Sequence, residues 1–159
     1  GPRHGGANLK VQKMFDDMRA EGHRPVVVSG YRSLQEQQNI LDDKVQEYIN
    51  QGYMRMVAEE MALQWVAQPG TSEHQTGLAL DIVSYRYQIL DEKQEDTAEQ
   101  KWLMEHCWEY GFILRYPNEK TEVTGIIYEP WHYRYVGKEV AKELQESGLC
   151  LEEYLASLS

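Results

Sequence analysis

The chain has 159 residues, 42% of them hydrophobic, which is enough for one domain with a real core. Sixteen basic against 26 acidic residues give a net charge of −10 with no Lys/Arg cluster, which argues against a nucleic-acid partner. No apolar run approaches the ~20 residues a membrane-spanning helix needs, and Cys107 and Cys150 belong to no CxxC or CxxH pattern, so a cysteine zinc site or redox motif is not expected.

Residues 1–7 read as a cloning remnant and linker, leaving 8–159 as a single domain. Leu9, Met14, Phe15 and Met18 recur at helical spacing over 8–21, with Asn8 as a cap and Gly22 as the stop. Pro25-Val26-Val27-Val28 is a short β-branched run, expected as a buried strand. Ser33 and Glu36 form a capping box for a helix from Leu34 to about Ile49, and a second helix is expected over 54–67 until Pro69-Gly70 breaks it. Leu78 to Val83 reads as a strand with Asp81 in its middle, whereas Tyr85 to Asp96 is polar and reads as an exposed, irregular connection or flap over the cleft. A helix follows from Thr97 to Tyr110, closed by Gly111, with Cys107 as a small core residue and His106 as a core or edge histidine. Phe112-Ile113-Leu114 is a strand. A turn over 118–125 then returns the chain through Ile126-Ile127-Tyr128 into Glu129–His132, with Tyr133 and Tyr135 extending a strand pattern. Two helices close the chain, Gly137 to Gln145 and Leu151 to Leu158. The class is α+β: a small sheet with helices around it.

The chemistry concentrates in two segments, Ser72–Asp81 and Glu129–His132. A carboxylate inside an apolar strand, as Asp81 is, must be paired or bind a cation. Two imidazoles, His74 and His132, with Asp81 supply the three protein ligands of a catalytic zinc site that leaves one position open. Pro130 excludes an ordinary helix across Glu129–His132, so this is not the paired-histidine helix of other zinc proteases. Residues three apart on an extended chain face opposite ways unless the chain bends. A kink at Pro130 could therefore aim Glu129 at a reacting water as general base while His132 takes the metal.

Ser29-Gly30-Tyr31-Arg32-Ser33, Ser72-x-His74-x-x-Gly77-x-Ala79-x-Asp81 and Glu129-Pro130-Trp131-His132-Tyr133-Arg134-Tyr135-Val136-Gly137 closely resemble the VanY-type D-alanyl-D-alanine carboxypeptidases. These are zinc peptidases grouped with VanX-type dipeptidases and L,D-carboxypeptidases, and the resemblance spans roughly residues 9 to 145. It implies a small antiparallel sheet flanked by helices, as in the Hedgehog amino-terminal domain. It implies one zinc ion on His74, Asp81 and His132, with Glu129 as the base. Arg32 would steady the substrate carbonyl and the oxyanion, a role that suits a permanently charged, fork-shaped donor. Ser72 would bind the substrate's terminal carboxylate, and Gln37 (with Gln38 as its nearest rival) and Tyr116 would line the pocket for the last D-amino acid. Trp131 would wall that pocket or pack beneath it. The implied activity is removal of the terminal D-alanine from peptidoglycan stem peptides. The alternatives are an L,D-carboxypeptidase acting on tetrapeptide stems and a non-catalytic zinc-bearing binding module. The implied setting is extracytoplasmic, as a monomer, with the membrane involved only through an N-terminal anchor missing from this sequence.

Overall fold

The computed structural model describes residues 6–29, 33–67 and 76–159. Seven α-helices and four strands occur among them, in the order α1 (Gly6–Ala20), β1 (Pro25–Ser29), α2 (Leu34–Asn50), α3 (Arg55–Ala62), β2 (Ala79–Ser84), α4 (Ala98–His106), β3 (Phe112–Leu114), α5 (Thr121–Thr124), β4 (His132–Tyr135), α6 (Lys138–Ser147) and α7 (Leu151–Ser157). The strands form one antiparallel sheet in the order β1-β2-β4-β3. This is the expected α+β architecture, a small antiparallel sheet flanked by helices.

The two-residue period of a strand gives this sheet two different faces. On one face Leu80, Ile82, Phe112 and Tyr133 pack with Val11, Met14, Phe15 and Met18 of α1 and with Trp102, Leu103 and Cys107. This cluster is the main core; each fully buried large side chain in it contributes roughly 1.5–3 kcal/mol. The other face carries Asp81 and His132, directly opposite one another in the β2–β4 register. A second cluster packs Ile113 against Ala141, Leu144 and Leu151, tying α6 and α7 to β3. A third, Val45 with Ala58 and Ala62, joins α2 to α3. Ser33 Oγ accepts the Glu36 N–H (3.1 Å) while the Glu36 carboxylate accepts the Ser33 N–H (3.2 Å), so α2 starts with the expected capping box. Gly111 adopts φ 89°, and a Cβ there would come within 2.7 Å of Tyr135 Cε1, so only glycine fits where β3 begins.

Several expected boundaries differ. α1 begins at Gly6, so Asn8 lies inside the helix rather than ahead of it. α3 ends at Ala62, short of residue 67, because long-range partners take the carbonyls that follow: Gln64 O accepts the Ile127 N–H (3.1 Å) and Ala67 O the Gln37 amide (2.7 Å). Ile126–Tyr128 is not a strand for the same reason, since its backbone pairs with the α3 exit and with Thr124 rather than with the sheet. The helix after Thr97 is α-helical only to His106 and tightens into a 3-10 turn over Cys107–Tyr110. The segment after β2 is exposed at most positions, as expected, but it contains a 3-10 turn over Glu92–Asp96, and its Gln94 is completely buried.

Candidate active site

The β2–β4 register brings two chemically demanding side chains together. Asp81 sits in a strand buried at every position, and His132 opens β4 opposite it, with Nδ1 3.1 Å from Asp81 Oδ1. Both are almost wholly buried, as is Glu129. Glu129 reaches the pair by a tight turn: its carbonyl accepts the N–H groups of Trp131 (2.7 Å) and His132 (3.2 Å), and its own N–H donates to Tyr116 O (3.0 Å). The turn through Pro130 places a Glu129 carboxylate oxygen 3.9 Å from His132 Nδ1. The kink expected from Pro130 is therefore present, and it aims both side chains at one point.

A zinc ion fits this donor set. Two donors about 2.1 Å from a tetrahedral zinc stand about 3.4 Å apart, and the Asp81–His132 separation of 3.1 Å is close to that edge. An imidazole nitrogen and a carboxylate, buried together and converging, are the donors zinc takes. Among the described residues no group of three His, Cys, Asp or Glu side chains forms a metal cluster. The expected third ligand, His74, lies outside the described residues, as do Arg32 and Ser72. Gly77, between His74 and Asp81, adopts φ 74°, a left-handed turn that glycine takes without strain.

Asp81, Glu129 and His132 open into a pocket of about 210 Å³ that is also lined by Gln37, Tyr116 and Trp131. Gln37 is fully buried on the inner face of α2, with its amide donating to Ala67 O. Gln38 instead donates to Asp42 along the exposed surface (2.7 Å), which decides between the two glutamines in favour of Gln37 as the pocket residue. The Tyr116 ring lies against the His132 ring, centroids 4.9 Å apart, and the Arg115 guanidinium lies 4.9 Å from the Tyr116 ring centroid. Arg115 is held in turn by Glu152 of α7 at 2.6 Å, so the last helix braces the pocket from behind. Trp131 is buried and forms part of the wall.

Lining residues that were not anticipated include Lys44, Trp65, Leu90 and Ile126. The Lys44 ammonium sits 4.7 Å from the Trp65 ring centroid. Their signal in sequence is faint. Lys44 lies seven residues after Gln37, two helical turns along the same face, and only the placement of Gln37 reveals it. Beside Glu129, burial and then the Glu95 carboxylate raise the Tyr128 phenol well above its ordinary value, so it stays neutral. Cys107 and Cys150 are free thiols, and burial pushes Cys107 up to about 12, consistent with an inert core residue. His106 is partly exposed and pairs with Glu109 at 2.6 Å, an edge histidine away from the pocket.

Comparisons with known proteins agree with this geometry. The family profile described as "VanY: D-alanyl-D-alanine carboxypeptidase" matches residues 4–138. A D-alanyl-D-alanine carboxypeptidase of Enterococcus faecalis (strain ATCC 700802 / V583) is 50% identical over 147 residues, covering 91% of this chain and 52% of that protein. The chain thus spans about half the length of the curated relatives it matches first. Among solved structures, VanYB in complex with D-alanine-D-alanine superposes with a TM-score of 0.87 at 47% identity, over 96% of this chain and 82% of that one. A VanY D,D-pentapeptidase mutant from a VanB-type resistance cassette, solved with Zn(II), has a TM-score of 0.83 at 49% identity, over 94% of this chain and 81% of that one.

Proposed function

Because the chain belongs to the VanY family of D-alanyl-D-alanine carboxypeptidases, we propose that it is a zinc-dependent carboxypeptidase that removes the terminal D-alanine from peptidoglycan stem peptides. The observation that carries this reading is the buried Asp81–His132 pair with Glu129 turned toward it in one pocket. His74, Asp81 and His132 would hold the zinc, which when bound supplies Lewis acidity toward a water and the scissile carbonyl. Glu129, beside the ligand pair but on its own turn, takes the proton of the attacking water and returns it to the leaving amine. Arg32 offsets the charge that develops on the carbonyl oxygen. Ser72 donates to the terminal carboxylate, and Gln37, Tyr116 and Trp131 enclose the last residue of the peptide.

Such a substrate lies outside the cytoplasmic membrane, so the domain, residues 8–159, works in an extracytoplasmic setting. Among the described residues no helix is long and apolar enough to cross a membrane. The test is incubation of the zinc-loaded protein with a muramyl pentapeptide and, separately, the tetrapeptide, with products weighed by mass spectrometry. Loss of one alanine from the pentapeptide alone is the expected result. Trimming of the tetrapeptide alone would establish the L,D-carboxypeptidase reading instead. No cleavage of either, with zinc confirmed, would leave a zinc-bearing binding module.

A further inference from the structure

The β2–β4 ladder has a break one step beyond the Asp81–His132 pair. Continuing the register one residue sets Ile82 opposite Trp131, just before β4 begins, and in an antiparallel ladder such a pair would exchange two N–H···O bonds. Only one is made: the Ile82 N–H donates to Trp131 O at 2.8 Å, while the Trp131 N–H leaves the ladder for Glu129 O at 2.7 Å. That diversion is part of the turn that brings Glu129 to His132. It leaves the Ile82 carbonyl without its ladder partner inside a wholly buried strand, where an unpaired carbonyl carries its full desolvation penalty. The side chain of Gln100, on α4, fills the gap. Its amide donates to Ile82 O at 2.6 Å.

Gln100 is itself completely buried, and its other valences are also used. Its second N–H donates to Gln94 Oε1 (3.0 Å), and its Oε1 accepts the Tyr133 hydroxyl (2.6 Å). Gln94, equally buried, spends both N–H groups on the segment after β2, donating to Tyr87 O (2.6 Å) and Ile89 O (2.9 Å). The next residue is Leu90, on the pocket wall. The chain of bonds has one direction. Reversing the Gln100 amide would set its oxygen against Ile82 O and against Gln94 Oε1, so the backbone carbonyls, Ile82 O for Gln100 and Tyr87 O and Ile89 O for Gln94, select the orientation of both amides, and the Tyr133 hydroxyl donates to the oxygen left over.

We propose that Gln100, with Tyr133 and Gln94, is the positioning relay of this active site. Gln100 takes the ladder place of the Trp131 N–H and so supports the turn that holds Glu129 beside His132. Through Gln94 it also fixes the loop that sets Leu90 against the bound peptide. The kinetic part of this assignment rests on the carboxypeptidase reading. A relay that served stability alone would lower the melting temperature and leave kcat and KM of the folded protein unchanged.

The experiment compares Gln100→Met, Gln94→Met and Tyr133→Phe with the wild type, well below their melting temperatures. Each zinc-loaded protein is assayed on the muramyl pentapeptide, and each metal-free protein is followed by hydrogen exchange with mass spectrometry. Gln100→Met is expected to lower kcat about tenfold or more, with zinc content nearly unchanged and KM raised no further than in Gln94→Met, because it frees the base directly and the substrate wall only through Gln94. Gln94→Met is expected to raise KM about three- to tenfold with kcat retained. Tyr133→Phe, which keeps the ring in the core, is expected to show a weaker form of the Gln100 effect, and it carries the test if Gln100→Met does not fold. Exchange should rise over 85–91 in both glutamine variants and over 129–132 in Gln100→Met alone. A loss of thermal stability with unchanged kcat and KM would overturn the relay, as would Gln94→Met lowering kcat as far as Gln100→Met. A wild type that cleaves nothing, together with the expected exchange pattern, would overturn the carboxypeptidase reading and support the relay. An active wild type with unaltered exchange in the variants would overturn the relay and leave the function standing.

Discussion

Replacing Glu129 with glutamine separates its proposed role as base from the backbone turn it makes. The turn is made by the Glu129 backbone: its carbonyl accepts two N–H groups and its N–H donates to Tyr116 O. None of these bonds involves the carboxylate. Glutamine keeps the volume in a nearly closed site and adds no charge, so the turn, Tyr116 and His132 should stay in place. What disappears is a proton acceptor whose oxygen stands 3.9 Å from His132 Nδ1. A positioned general base contributes roughly 10²–10⁴ in rate. At 1.36 kcal/mol per tenfold, that raises the barrier by about 2.7–5.4 kcal/mol. The assay is kcat for release of D-alanine from the muramyl pentapeptide, with zinc content measured on the same sample by elemental analysis. A fall of two to four decades with full zinc occupancy is expected, and KM within a few-fold of wild type. Turnover within tenfold of wild type would refute Glu129 as the base. Loss of zinc with loss of activity would show instead that Glu129 helps to hold the metal.

Three further outcomes follow from the same geometry. His132→Ala removes a proposed ligand from the end of a strand whose backbone pairing with Asp81 does not need the ring. It should therefore abolish zinc retention in equilibrium dialysis while the far-ultraviolet circular dichroism of the folded protein persists. Met14→Ala empties part of the core on the sheet face away from the pocket. A completely buried methionine cut to alanine should cost about 2–5 kcal/mol in urea denaturation, with kcat per folded molecule unchanged. Glu153 caps α7 through the Cys150 N–H and pairs with Lys120, and those bonds hold its carboxyl down to about 2 from an ordinary 4.5. A depressed carboxylate adds stability that is complete above its unfolded value and is lost as pH falls toward its folded one. The melting temperature should therefore drop as pH goes from about 4.5 to 2, and Glu153→Gln should make that limb shallower while lowering stability at neutral pH.

The parts of this protein that can be read from its sequence are those where residue type conflicts with its local pattern. Asp81 inside Leu78–Val83 is a charge in an apolar strand, and Pro130 inside an extended segment is a forced bend; both pointed to the site, and both lie in it. The capping box at Ser33 and Glu36 was legible because its two bonds are local. The errors share a cause. Residues 63–67 and 126–128 take backbone partners that are far away in sequence, Gln64 O with Ile127 N–H and Ala67 O with Gln37, and no window of a single strand or helix contains those partners. The α3 exit and Ile126–Tyr128 satisfy each other, and the polar segment after β2 is fastened by a glutamine buried beneath it. Polar composition fits the exposed positions there, but Gln94 is buried, and it is polar because the groups it must bond are backbone carbonyls in the interior. Gln100 makes the same point more sharply. It shares a helix face with Leu103 and Cys107, three and seven residues on, both core members, so it is a polar residue in a core stripe, as conspicuous as Asp81 in its strand. A charge in that position demands a partner of unusual chemistry and so announces itself. An amide can be satisfied by any carbonyl, and which one it serves, here the carbonyl stranded by the Glu129 turn, is decided only when β2 and β4 are laid side by side.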